Sequence, residues 1–168
     1  MKKRIITILL STIFSGHVQF SEAASDCVAN PPDFVKLSYE EASQAVDRAV
    51  EPEKKKLVCA EYITNLVNQL RFQHLGDDNK VLAIYLLGEL RPSDATSVEL
   101  LIQNIDLKAT RFDLKTDFPR WGQYPAVEAL IKVGEPAVIL ILNELPNETN
   151  QLRRQLLCEV LKRVWRAP

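Results

Sequence analysis

Histidine is nearly missing from this 168-residue chain, which has two, and glycine is sparse and scattered, with five at positions 16, 76, 88, 122 and 134. No two glycines stand close enough to form a phosphate-cradling loop, which removes the nucleotide-binding motifs that depend on one. No His-Glu pair occurs. His74, in "RFQHLGDD" just after a helix end, would be the single histidine left after loss of the first residues, and one imidazole cannot assemble a multi-histidine metal site. It reads as a helix-terminus residue rather than a ligand. No nucleophile motif accompanies it, so no Ser, His and acid set can be proposed. Asp77 and Asp78 lack the alternating oxygen ligands of a calcium loop and read as the N-cap and first turn of a helix. The expectation is a protein with no catalytic residues, no metal site and no cofactor.

A basic excess is also lacking, since the formal net charge is −1. Nucleic acid is therefore not the expected partner. Long apolar runs are missing too. The longest near the start, Ile5 to Phe14, covers about half of the ~20 residues a membrane-crossing helix needs. Preceded by Lys2, Lys3 and Arg4, and followed by the small-x-small site Ser21, Glu22, Ala23, it reads as a Sec-type secretory signal peptide over residues 1–23. An uncleaved anchor is the alternative. Cleavage after Ala23 would remove Lys2, Lys3, Arg4 and Glu22 and take the net charge to −3. The expected location is periplasmic or secreted, with no membrane contact after cleavage and no small-molecule substrate. Asp26 before Cys27 excludes a lipidation box, which wants a small uncharged residue.

Three cysteines, Cys27, Cys59 and Cys158, allow at most one internal bridge and a spare thiol in an oxidising compartment. If one forms, Cys27 with Cys59 is the expected pair, tying an extended segment, residues 24–37, to the first long helix. Cys158, one turn before Leu161 and two before Trp165, reads as a small core residue.

What is present is helical punctuation. "ALIKVGEPAVILILNEL", residues 129–145, is apolar enough for a strand, but a strand would carry Pro136 in mid-course, where the missing N–H breaks a ladder. As helices, the stretch has Pro125 at a start, Gly134 after a last turn, Pro136 opening the next helix and Pro146 following it. Ala126, Ala129, Leu130 and Val133 share one face of the first helix. The second, apolar almost all round at "AVILIL", is expected to have neighbours on every side.

The unit recurs. "EALIKV" from Glu128 matches "EVLKRV" from Glu159 at an offset of 31 residues, and aligning Leu87 with Leu130 gives 43. "YLLGELRPSDATSVELLIQNI" and "VEALIKVGEPAVILILNEL" resemble HEAT repeats, especially the short HEAT-like type also found in phycobilin lyases, across about residues 77–165. The resemblance implies an all-α, right-handed α-solenoid of about three helix pairs plus a C-terminal capping helix, a HEAT-like superhelix over residues 38–168. It implies an interaction or assembly scaffold with a protein partner. It also implies an alternative, a lyase-like or chaperone-like protein acting on a tetrapyrrole-bearing partner. A structural envelope protein held by the uncleaved leader is a third reading.

Upstream, Ser38 with Glu41 forms a capping box before a helix to about Val50, and Pro52 opens another expected to run to about Phe72. Cys59, Ile63, Leu66, Val67 and Leu70 share its stripe. The last helix, about Thr149 to Trp165, is expected to be capped by Thr149 and to present Arg153, Arg154, Lys162 and Arg163 to solvent. Asn147, Glu148 and Thr149 also spell a glycosylation sequon, relevant only in a eukaryotic secretory route. The connection 106–124 is longer than the fold needs. Its Phe112, Phe118, Arg120, Trp121 and Tyr124 are residue types enriched at binding hot spots, and form either a partner contact or a plug packed over the helices.

Overall fold

A computed structural model describes residues 27–110 and 123–166. Its regular elements are all α-helices: α1 (Tyr39–Ala49), α2 (Pro52–Lys55), α3 (Ala60–Phe72), α4 (Asp77–Leu90), α5 (Ala95–Gln103), α6 (Pro125–Val133), α7 (Glu135–Glu144) and α8 (Gln151–Val164). Strands are absent among the described residues apart from one isolated parallel bridge, Val28 with Val58.

Local chemistry sets the helix ends. The Ser38 hydroxyl accepts from Glu41 N at 3.3 Å, and the Glu41 carboxylate accepts from Ser38 N at 2.9 Å, so two orphan donors at the start of α1 are satisfied reciprocally. Asp94 caps α5 by accepting from Ser97 N at 2.8 Å. Gly134, at φ 77°, both ends α6 and starts α7, a backbone conformation that a side chain would strain. Two caps differ from the sequence expectation. Gly76, not Asp77, is the N-cap of α4, with Asp77 and Asp78 in its first turn. Asn150, not Thr149, caps α8, because its side-chain oxygen reaches both Leu152 N and Arg153 N.

The expected helix from Pro52 to Phe72 is broken in two, and Cys59 is the N-cap of the second piece rather than part of its stripe. The cause lies about thirty residues upstream. Val28 N donates to Leu57 O at 2.7 Å and Cys59 N donates to Val28 O at 3.3 Å, so these backbone groups pair with the N-terminal segment instead of with a helical turn. Cys27 and Cys59 form a disulfide beside that bridge, with Cα atoms 5.6 Å apart.

From the disulfide, residues 28–37 run along α3 as a strap. Asn65 Nδ2 donates to Ala29 O at 3.1 Å, and Gln69, one turn on, grips Pro32 and Phe34. Asn79 Nδ2 donates to both Phe34 O and Leu37 O at 2.9 Å. Phe34 itself is fully buried in the core.

The helices pack in two rows. In one, α1 lies against α4, α4 against α6, and α6 against α8; in the other, α3 lies against α5 and α5 against α7. The rows are joined by α3 on α4, α5 on α6 and α7 on α8. At the centre, α4 buries Val81, Leu82, Ala83, Ile84, Leu86, Leu87 and Gly88, so nearly its whole circumference is covered. Gly88 permits this: a Cβ there would stand 2.5 Å from the Ala129 Cβ of α6. Bulk at that point would push α4 and α6 apart and loosen the packing between their buried leucines.

Candidate interaction surface

The α7 helix carries the run "AVILIL" yet buries only Ala137 and Ile141, leaving Ile139 60 % and Leu142 46 % exposed. This corrects the expectation of neighbours on every side. Within the described residues the second row ends at α7, so the helix has α5 on one flank, α6 and α8 behind, and no further helix in front. Ile139 and Leu142, three apart, therefore form an outward apolar stripe with Glu135 at its head.

Hollows lie on both sides of Leu140. One, of about 320 Å³, is lined by Ser93, Ala95, Glu135, Pro136, Ile139 and Leu140 between the starts of α5 and α7. The other, of about 370 Å³, lies between the ends of the same helices, where Ile102, Gln103, Asn143 and Glu144 line it with Glu99 and Arg153. Leu140 is shared by both, so the two read as one shallow groove along α7. Glu99, Glu135 and Glu144 are exposed around it and have no ion-pair partner among the described residues.

Arg153 does not add a free positive charge. Its guanidinium donates to Glu148 at 2.6 Å, to Asp106 at 3.0 Å and to the carbonyls of Gln103 and Ile102, tying the start of α8 to the end of α5. Burial works against its charge, but these two carboxylates hold its pKa above the ordinary arginine value, and in return Arg153 draws Glu148 below the usual carboxylate range. Arg163 is likewise engaged, in a bidentate pair with Glu128 of α6 at 2.5 and 3.0 Å. Of the four basic residues expected to face solvent, only Arg154 and Lys162 are exposed. The other two are struts between helices, and the spacing along α8 alone could not show their distant partners.

A second charged cluster sits on the first row. Glu89 of α4 accepts from Lys55 of α2 at 2.5 Å and from Lys132 of α6, while Lys132 Nζ stands 5.1 Å from the centre of the Tyr85 ring. Burial alone would raise the Glu89 pKa, but the two lysines outweigh it and hold the carboxyl below its ordinary value. Tyr85 is pushed up to about 12, by burial first and then by the negative charge and hydrogen bond of Glu89. Every member has a partner, so the cluster reads as a clamp joining three helices rather than a reactive site.

The residues singled out in the connection 106–124 fare differently. Phe112, Phe118, Arg120 and Trp121 lie outside the described residues. At its two ends, Ala109 N donates to Gln123 O at 2.7 Å, and the Thr110 hydroxyl donates to Asp78 at 2.7 Å, which pins the base of the connection at the start of α4. Tyr124 is half-buried against the core as the N-cap residue of α6. Cys158 is exposed, correcting its assignment to the core: Leu156, Leu157, Val160 and Leu161 take the inner face of α8, and residue 158 falls on the opposite one. Trp165 is exposed for the same reason. His74 lies on the surface after α3. Among the described residues no group of three or more His, Cys, Asp or Glu is gathered closely enough to hold a metal ion, and no helix is long and apolar enough to cross a membrane.

No family model, curated protein or solved structure matches the chain.

Proposed function

We propose that the chain is an exported, non-catalytic HEAT-like protein that works as an interaction or assembly scaffold, and that its partner docks on the second helix row. The reading of the rows as a right-handed stack of about three helix pairs closed by α8 belongs to the same proposal. It is supported by the alternation of α3, α5 and α7 with α4, α6 and α8. The observation that carries the functional part is the α7 face. A stripe of Ile139 and Leu142 in water gives up about 25 cal/mol for each Å² of apolar surface left uncovered, and stacks of helix pairs offer such surfaces to partners.

A photo-crosslinking side chain at position 139, introduced in the full chain in its native envelope, tests the reading. The expected result is a discrete crosslinked protein, absent when the probe stands at exposed Gln155 of α8. Crosslinking from neither position, or equal smears from both, would count against a scaffold role. N-terminal sequencing of the same material tests export through a start at Ala24.

A further inference from the structure

Resting on that reading, we propose that the groove between α5 and α7 takes a cationic amphipathic helix of about three turns from the partner, with apolar residues on one face and basic residues near both ends.

Geometry sets the length. The α7 helix has ten residues, about 15 Å at the helical rise, and the two hollows flanking Leu140 extend over that span. An extended strand would need backbone partners, and the groove walls are side chains of two finished helices whose backbone groups are already paired. An amphipathic helix brings its own backbone hydrogen bonds and offers side chains at i, i+3, i+4 and i+7. Such a stripe would lie against Pro136, Ile139 and Leu140, which line the hollows.

Charge sets the sign. Glu135 stands at the head of α7, Glu144 at its foot and Glu99 across the groove on α5, all exposed and none ion-paired among the described residues. The cation that lines the groove, Arg153, is committed to Glu148 and Asp106. An acidic partner would meet three like charges, and a second copy of this chain would bring the same three carboxylates against these. A basic helix relieves the repulsion while it covers Ile139 and Leu140.

The test uses the full chain and a labelled peptide of about fourteen residues, alternating leucine and lysine at helical spacing, followed by fluorescence anisotropy. Two controls accompany it: a leucine–glutamate peptide of the same pattern, and a leucine–lysine peptide scrambled so that no apolar face forms. Saturable binding of the first alone is expected. Glu99→Gln, Glu135→Gln and Glu144→Gln together should weaken it about tenfold or more, as should Ile139→Ser, with helical circular dichroism retained. Should the serine variant lose its helices, a benzophenone at the centre of the peptide gives the same information by its attachment to α7 in the unaltered chain. Equal binding of the acidic peptide or of the scrambled one overturns the proposal, as does indifference to the glutamine variant. So does sedimentation showing self-association that Ile139→Ser abolishes, because a second copy would then be the occupant. If the peptides fail while position 139 still crosslinks to a partner, the basic helix falls and the scaffold reading stands. If both fail, both fall.

Discussion

The side-chain amide of Gln69 reads Phe34 and Pro32, two residues before it, as a receptor reads a peptide: its oxygen accepts from Phe34 N at 3.1 Å and its nitrogen donates to Pro32 O at 3.0 Å. The N-terminal strap is thus held by polar groups of α3 while Phe34 drives into the core, and the two contributions can be separated. Phe34→Ala removes a fully buried ring and should cost about 3–5 kcal/mol. Gln69→Ala should cost less, about 0.5–1.5 kcal/mol, because Phe34 N and Pro32 O lose the amide but keep their own hydrogen bond of 3.1 Å. Urea unfolding under non-reducing conditions measures both, and equal small losses would place the strap outside the folding unit.

The disulfide fixes the other end of the strap. Cys27 and Cys59 are 32 residues apart, so on the chain-entropy account their bond restricts the unfolded chain by about 3–4 kcal/mol. Cys27→Ser with Cys59→Ser should lower stability by about that amount and increase amide exchange first at Val28 and Cys59, whose N–H groups pair across the bridge. In the unaltered protein, only Cys158 should alkylate without denaturant or reductant.

The row of α1, α4, α6 and α8 closes around one missing side chain. Gly88→Ala places a methyl 2.5 Å from the Ala129 Cβ and 2.6 Å from its Cα, and the backbone atom cannot be moved by a rotamer change. Overpacking at such a point should cost about 1–3 kcal/mol. Ala129→Gly in the same chain should recover part of the loss by removing the opposing Cβ, even though glycine within a helix itself costs about 1 kcal/mol. Thermal melts of the two single variants and the double one decide it, and simple additivity would argue against the contact.

Much of the architecture was legible because its signals are local. Ser38 with Glu41, Pro125 and Gly134 each determine a helix end through groups within four residues, and the structure has those ends. The break before α3 depends on Val28, thirty residues away, and the helical stripe from Pro52 onward carries no trace of it. Exposure of Ile139 and Cys158 depends on where each row ends, which the periodicity of one helix does not encode. Arg153 is similar: its place on α8 says that it is basic, and only the fold brings Asp106 and Glu148 to it. The aromatic residues of the connection were visible by composition. Of these, Tyr124 alone falls among the described residues, and it faces the core.

The Glu89 clamp should appear as pH dependence on both sides of neutrality. Because Lys132 and Lys55 hold its folded pKa below the ordinary 4.5 despite the opposing effect of burial, the unfolded chain binds more protons than the folded one in acid. The stability it contributes is full above the unfolded value and is lost as pH falls from there through the folded value. In alkali the sign reverses. Tyr62, raised by burial, and Tyr85, raised by burial and then by Glu89, both titrate near about 12 when folded and near 10.0 when unfolded. Their contribution is full below pH 10.0 and disappears as pH rises toward about 12. Glu89→Gln should therefore flatten the acid limb by removing the carboxylate, and should move Tyr85 back toward its ordinary value while leaving Tyr62 in place. Urea midpoints across the acid and alkaline ranges, with tyrosinate absorbance followed in the alkaline one, test each part. An acid limb as steep in the variant as in the unaltered chain would show that other lowered carboxylates, Asp33, Glu41 and Glu148, carry the acid sensitivity.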